Sequence, residues 1–349
     1  MSAVDAISEA QKIAYAPIMF QAARLLCELG ILKQVSSADS EGMDVQTIAR
    51  KTGFSEYGID VLLSMGLSAG LVCLKDQKYT LTKVGYFLLN DEMTRINMAF
   101  THDVCYQAMF YLEEAIREGR PAGLKVFGDW ENLYQGLTVL PEKARKSWYD
   151  FDHYYSDGAF PEALKEVFAT QPATLFDIGG NTGKWSLACA EYNKDVRITL
   201  LDLPNQLEIA GQNIHQAGYS DRITCYGINM LDEQAEWPGQ ADVIWMSQFL
   251  DCFSAEQIVS ILRRAAKAMY KTSRLFIMET LWGRQQYEAA AYSLNATSLY
   301  FTALANGNSR MYSAGELRTL IKQAGLVIEQ QRDDIGFCHS LLKCRLAQD

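Results

Sequence analysis

The sequence predicts an α/β protein in two parts, a mainly helical region followed by a domain built on a mostly parallel sheet. Three observations carry this. Beyond Gln171-Pro172, short apolar runs alternate with amphipathic segments, the signature of strand–helix–strand units. The first of these runs, 174–178, passes into Gly179-Gly180-Asn181-Thr182-Gly183, and the second, 196–201, ends at Asp202. Before Gln171 the apolar residues recur at helical spacing instead. With 349 residues, 49% of them hydrophobic, the chain is long enough for about two domains with cores of their own.

The helical part opens with Ile13, Pro17, Phe20, Leu25, Leu26 and Leu29, a strongly apolar stretch stopped at Gly30. The face formed by Ile13, Phe20 and Leu25 is too large for an isolated helix to expose, and such faces mark partner sites. Helices are expected over 44–50 and 55–69. Ser55 caps the second, and Ile59, Leu62, Leu63, Met65 and Leu67 supply its apolar face. Residues 71–74 and 79–81, separated by Asp76-Gln77, read as a hairpin. Helix, turn, helix and hairpin in this order form a winged-helix pattern. A DNA reader needs cations on the second helix, which here carries Glu56 and Asp60 and neither Lys nor Arg. A structural or dimerisation role is therefore expected. Residues 91–170 read as helices rich in aromatics. Phe127, Trp130, Tyr134, Trp148, Phe151, Tyr154 and Tyr155 are candidates for core, or for the wall of a pocket that takes a flat substrate.

In the second part, glycines let the chain turn sharply after the first strand and let a ligand approach the backbone. A helix follows over 184–192. Asp202, at the end of the second strand, is placed to accept both hydroxyls of a ribose, so this edge of the sheet reads as a nucleoside site. The G-G-x-x-G spacing departs from the dinucleotide pattern, and Asp177 stands two residues ahead of it. An anion there repels a pyrophosphate and suits a ligand with an ammonium group, such as S-adenosylmethionine. Further strands are expected over 222–226, 241–246 and 274–278, the last ending at Glu279. Ser254 caps a helix in which Ile258, Ile261, Leu262, Ala265 and Met269 recur at i, i+3, i+4. A helix over 314–324 stops at Gly325. Residues 326–329 and 339–343 then pair around 333–336. A hairpin appended to a parallel sheet is typical of S-adenosylmethionine methyltransferases and unusual in dehydrogenases.

Composition narrows the function classes. The net charge is −10, which disfavours nucleic acid and anionic membranes as partners. No apolar run reaches the length of a membrane span. The eight cysteines show no metal spacing, so no metal site is expected, and the N-terminus carries no secretory pattern. A cytoplasmic protein with reduced thiols is the expectation.

These motifs resemble the S-adenosylmethionine-dependent small-molecule O-methyltransferases, including plant caffeate-type and bacterial polyketide-tailoring enzymes, over nearly the whole chain. The family's D-x-G-G-G-x-G appears as Asp177-Ile178-Gly179-Gly180-Asn181-Thr182-Gly183, and its D-L-P as Asp202-Leu203-Pro204. Its G-D-M-F segment appears as Ile228-Asn229-Met230-Leu231, with Asn for Asp. An amide can still contact the adenine amino group, through its carbonyl oxygen. The resemblance implies a Rossmann-like domain with a mostly parallel seven-stranded sheet. It also implies a winged-helix-like dimerisation domain over 1–100, a helical linker and substrate-pocket segment over 101–170, a catalytic domain over 171–349, and a homodimer. It places Asp177, Gly179, Gly180, Gly183, Asp202, Leu203, Asn229, Met230, Ser247 and Gln248 at the cofactor, and Cys252 and Phe253 near the catalytic loop.

The departure lies at the catalytic base. The family's L-H-D-W loop aligns with Leu250-Asp251-Cys252-Phe253, so Asp251 stands where the base histidine belongs. The acid after the fifth strand survives as Glu279, and a second family acid falls near Met311. A phenol titrates near pH 10 and a free Asp near about 3.9, so a solvated Asp is a poor match unless burial raises its pKa. Proximity alone contributes roughly 7–11 kcal/mol, enough for an acidic acceptor. His153, among the candidate pocket aromatics, is the alternative base. The leading expectation is O-methylation of a small aromatic or polyketide-like hydroxyl. The alternatives are decarboxylation or hydroxylation on the same fold, or a catalytically silent S-adenosylmethionine-binding or DNA-regulatory protein; a dehydrogenase is a more distant one.

Overall fold

The computed structural model describes residues 1–347 and divides into two compact units, Met1–Ala99 and the chain from Phe100 onward. In the first unit the apolar N-terminal stretch is two helices, Ala3–Ala14 and Ala16–Glu28, rather than one. The break falls at Tyr15, and Pro17 opens the second helix, where its missing N–H is not needed. Ala3–Ala14 buries none of its residues, and Val4, Ile7 and Ile13 are exposed. Helices Ile31–Ser36, Val45–Thr52 and Glu56–Ser68 close a core around Leu26, Ile31, Leu32, Ile48, Ile59 and Leu63. The Gly58 N–H donates to Ser55 Oγ at 3.1 Å, the cap read from the sequence. Strands β1 (Val72–Lys75) and β2 (Lys78–Leu81) pair antiparallel. Both turn residues between them have positive φ, 49° at Asp76 and 60° at Gln77, as a two-residue hairpin turn requires.

The second unit holds strands β3 (Thr174–Ile178), β4 (Arg197–Asp202), β5 (Ile223–Gly227), β6 (Ala241–Ser247), β7 (Met269–Glu279), β8 (Leu326–Ile335) and β9 (His339–Leu346). They form one seven-stranded sheet in the order β5-β4-β3-β6-β7-β9-β8, in which β9 alone runs against the rest. Central strands are covered on both faces, which is why they read as continuous apolar runs. Val243 and Trp245 enter one core beside Trp185 and Ile214. Ile244 and Met246 enter the other beside Ile261 and Leu317. β7 begins five residues before the strand read from the sequence. Its register shift against β6 is held by Ser273 Oγ, which accepts from the Tyr270 N–H and donates to the Ala241 carbonyl. Strand order reverses between β3 and β6, and the crevice outside the carboxyl ends of such a pair is where open α/β sheets bind ligands.

Residues 101–170 pack within this second unit. Phe100, Leu124, Leu133 and Leu137 share a core with Tyr300, Phe301 and Leu304. The last three belong to helix Glu288–Tyr300 and the turn Phe301–Ala305, which the sequence reading left unassigned. That helix mixes Ala, Ser, Tyr and Asn around its circumference, so no apolar stripe announces it.

Candidate active site

The glycine turn after β3 is shaped for close backbone approach. Gly179 has φ +68°, and a Cβ there would sit 2.4 Å from the Phe249 ring. A Cβ at Gly180 would sit 2.7 Å from Leu200 Cγ and 2.8 Å from Asp177 Oδ2. Gly183, φ +84°, caps helix Lys184–Tyr192. Asp202 closes β4 with its carboxylate anchored twice from behind. Oδ2 accepts from the Asn181 N–H at 2.8 Å and Oδ1 from the Leu203 N–H at 2.7 Å. Each oxygen keeps a second lone pair. Burial pushes the Asp202 carboxyl up to about 6.

Two cavities meet at this turn. The larger, about 390 Å³, runs from Asp202, Leu203, Asn229 and Met230 to a wall of aromatics, among them Tyr134, Trp148, Phe151 and Tyr300. The smaller, about 50 Å³, lies against Gly179, Gly180 and Asp177. Ser247, Gln248, Asp152, Gly179 and Asn181 line both. Asn229 Oδ1, the acceptor expected for an adenine, takes the Leu231 N–H at 2.9 Å and offers its second lone pair only. Of the seven aromatics singled out in the sequence, Tyr134, Trp148 and Phe151 line the larger cavity. Phe127 and Trp130 pack in the core beneath it, Tyr154 stacks on Phe337, and Tyr155 packs edge-on with Phe151.

Asp177 is 1% exposed, and its Oδ2 accepts from Ser186 Oγ at 2.5 Å. It is less a free anion beside the loop than a buried carboxyl that burial pushes up to about 7. The residue that sequence reasoning missed is Asp152. It sits on helix Glu142–Asp157 between the two cavities. It accepts from Asn181 Nδ2 at 3.2 Å and Gln248 Nε2 at 3.3 Å. Burial, then the charges of Asp251 and Asp157, push it up to about 7. The available signal was an acid one turn beyond Trp148 on an otherwise aromatic face. Gln248 has φ +46° and is fixed from its other end by His339, whose Nε2 lies 2.8 Å from Gln248 Oε1.

The acceptor end carries the catalytic candidates. Asp251 lies in the turn Leu250–Cys252 after β6, 6% exposed and on the wall of the larger cavity. Tyr134 O–H donates to Cys252 Sγ at 3.0 Å, and that thiol reaches Asp251 Oδ1 at 3.5 Å. Burial pushes Asp251 up to about 6. Glu279 is not on the cavity wall. It is 3% exposed, and its Oε1 accepts from the Phe249 and Leu250 N–H groups at 3.1 and 2.8 Å, tying down the turn that presents Asp251. Burial, then the charge of Asp251, hold Glu279 well above the usual carboxylate range. Like charges resist joint ionisation, so the pair gives up its two protons in separate steps. His153 is likewise away from the larger cavity. It lines the smaller one, stacked on Tyr149, with Nε2 3.5 Å from Thr182 Oγ1. Met311, at the place of the second family acid, lines the larger cavity, and its sulfur accepts from Thr280 Oγ1.

These residues fit S-adenosylmethionine. Ser247 Oγ and Asn181 Oδ1 are buried without a hydrogen-bond partner where the cavities meet. The turn leaves no room for a side chain at Gly179, Asp202 supplies paired acceptors for a diol, and the smaller cavity is lined by Asp152, Asp157 and Asp177, with Lys184 paired to Asp157, so acids outnumber cations as suits a cationic ligand.

Comparison with known proteins places the chain in a family. Residues 8–79 match the Dimerisation2-like domain, and residues 109–327 match the O-methyltransferase domain. The L-tyrosine C(3)-methyltransferase of Streptomyces lavendulae is 24% identical over 310 residues, 88% of this chain and 83% of its own. The mitomycin 7-O-methyltransferase MmcR superposes with a TM-score of 0.75 at 21% identity, covering 99% of this chain and 98% of its own. An O-methyltransferase from neocarzinostatin biosynthesis, in complex with S-adenosylmethionine and 2-hydroxy-5-methyl naphthoic acid, superposes with a TM-score of 0.69 at 20% identity, over 94% of this chain and 95% of its own. With the O-methyltransferase domain spanning more than half of its length, the chain belongs to the S-adenosylmethionine-dependent O-methyltransferase family.

Proposed function

We propose that the protein methylates a hydroxyl oxygen on a small, flat aromatic held in the larger cavity, with Asp251 taking the proton. One observation carries this reading. Asp251 is the ionisable group on the aromatic-lined wall at the place the family gives to its base, and burial brings its carboxyl nearer neutrality. When bound, S-adenosylmethionine supplies an electrophilic methyl group to the acceptor oxygen. Asp202, Leu203, Asn229 and Met230 would hold its nucleoside, and Asp152, Ser247 and the Gly179 turn its amino-acid end. Trp148, Phe151 and Tyr300 orient the acceptor ring and exclude water. Glu279 positions the loop of Asp251. General-base assistance of this kind is typically worth about 10²–10⁴-fold.

The test is incubation with methyl-labelled S-adenosylmethionine and a panel of phenols, naphthols and hydroxyindoles. Label on an acceptor oxygen supports the reading. Cofactor turnover or substrate decarboxylation or hydroxylation without label transfer replaces it with the alternative chemistry of the same fold.

For the first unit, the Dimerisation2-like match and the exposed Ile7 and Ile13 support a homodimer, and the helix–helix–hairpin order supports a winged-helix type of module. Light scattering at micromolar concentration should give twice the chain mass. Among the described residues no helix is long and apolar enough to cross a membrane. All eight cysteines are free, which supports a reducing, cytoplasmic location.

A further inference from the structure

The larger cavity is charged in one sense. Glu131, Asp152, Asp202 and Asp251 are on its wall, and among the described residues that wall holds no Lys, Arg or His. Among the described residues no Lys or Arg pairs directly with the acids at its inner end, and the imidazole nearest them is His153, whose Nδ1 lies 3.9 Å from Asp152. Asp152 is bonded to two side-chain amides, Asp202 to two backbone N–H groups and Asp251 to a thiol. Behind Asp251, Glu279 is 3% exposed, and its Oε2 has no hydrogen-bond partner. The same cavity is lined by aromatics. Trp148 Nε1 donates to Tyr300 Oη at 2.8 Å, so the polar edges of that pair satisfy each other. Aromatic faces attract cations, and desolvated ones attract them more strongly. Carboxylates and aromatic faces together favour a positive ligand and penalise a negative one.

We propose that this cavity selects its acceptor by charge, taking hydroxylated aromatics that carry an ammonium group, ranking neutral analogues below them and rejecting carboxylates. The inference rests on the methyltransferase reading above and adds the substrate class to it. A carboxylate on the acceptor would meet no Lys, Arg or His among the described residues of the wall and would lie in the field of Asp251. An ammonium group would meet the field of Asp251 and Glu131, the wall acids that the cofactor does not occupy.

The experiment is isothermal titration of the whole protein, saturated with S-adenosylhomocysteine, against three phenols matched in size. These are 4-hydroxyphenethylamine (cationic), 4-hydroxyphenethyl alcohol (neutral) and 3-(4-hydroxyphenyl)propanoate (anionic). The amine should bind about 100-fold more tightly than the propanoate, with the alcohol between them. In Asp251→Asn the amine-to-propanoate ratio should shrink about tenfold. Binding of the propanoate as tight as that of the amine overturns the proposal. So does failure of the amine to bind at millimolar concentration when the homocysteine product binds. If the homocysteine product itself does not bind the folded protein, the methyltransferase reading fails first, and this one with it.

Discussion

The two ends of the site are built in different ways. At the cofactor end, the Gly179 turn, Asp202 and Leu203 lie at the ends of adjacent parallel strands and are held by backbone groups. Asp202 takes two main-chain N–H groups, and the Gly179 N–H bonds the Leu201 carbonyl. At the acceptor end, side chains far apart in the chain meet. Tyr134 reaches Cys252, and Trp148 reaches Tyr300. A backbone-built end tolerates little change, because a displaced main chain takes several contacts with it. A side-chain-built end can be altered one residue at a time, and there acceptor specificity is free to vary while cofactor binding persists.

Gly179→Val tests the rigid end hardest. It puts a β-branched residue at φ +68° with its Cβ 2.4 Å from Phe249. Strain of roughly 1–3 kcal/mol adds to an overpacking cost of similar size. Affinity for S-adenosylhomocysteine should fall by about 10³-fold or more, read by calorimetry on protein shown by circular dichroism to be folded. At the acceptor end, Asp251→Asn should lower kcat by about 10²-fold on the fastest phenol of the panel while cofactor affinity stays within a few-fold. A smaller loss of kcat would leave proximity as the main source of rate. Asp202→Ala should weaken the homocysteine product by about 10- to 100-fold, the worth of one charge-assisted hydrogen bond. An unchanged affinity would remove Asp202 as the diol acceptor.

The buried acids also set a pH dependence. Burial raises Asp152 and Asp177 to about 7 and Asp202 and Asp251 to about 6. Their unfolded values lie near about 3.9, so between about pH 4 and 7 the folded state binds more protons than the unfolded one. Stability is therefore greatest at the acid end of that window and falls as pH rises through it. The Tm of the ligand-free protein should drop from pH 5 to pH 8, and Asp177→Asn should flatten the slope. A Tm that rises over this range would show that these carboxyls ionise freely in the fold. The smallest effect is expected from His153→Ala, because the ring is outside the larger cavity and its acid neighbours Asp152 and Asp157 lie 3.9 and 3.8 Å away. Turnover should change by less than about fivefold, the range of a partly exposed ion pair. A hundredfold loss would move the base from Asp251 to His153.

The cofactor end was legible from the sequence because its logic is local. Gly179, Gly180, Gly183 and Asp202 lie within 24 residues and mark the ends of two apolar runs. The caps at Ser55 and Ser254 were legible for the same reason, each being a hydroxyl three residues from the N–H it accepts. The acceptor end was legible in part. Asp251 and Glu279 were found through a family loop, but which of them faces the cavity was not. Asp152 carried only the weak signal of an acid among aromatics, and helix Glu288–Tyr300 carried none.

By itself the sequence determined the class of the second unit, the succession of its strands along the chain and the glycine turn after the first of them. Apolar run length, glycine placement and chain-local hydrogen bonds are encoded within a few residues of where they act. Only the tertiary structure decided that Glu279 anchors a loop while Asp251 meets the cavity, that His153 belongs to the smaller pocket, and that Asp152 stands where the two cavities join. Those placements depend on how residues 101–170 and 288–305 close over the sheet edge. That closure comes from burying side chains such as Phe100, Leu133, Tyr300 and Phe301 against one another. Burial is non-directional and sums over contacts distant in sequence, so no short stretch of residues records its result.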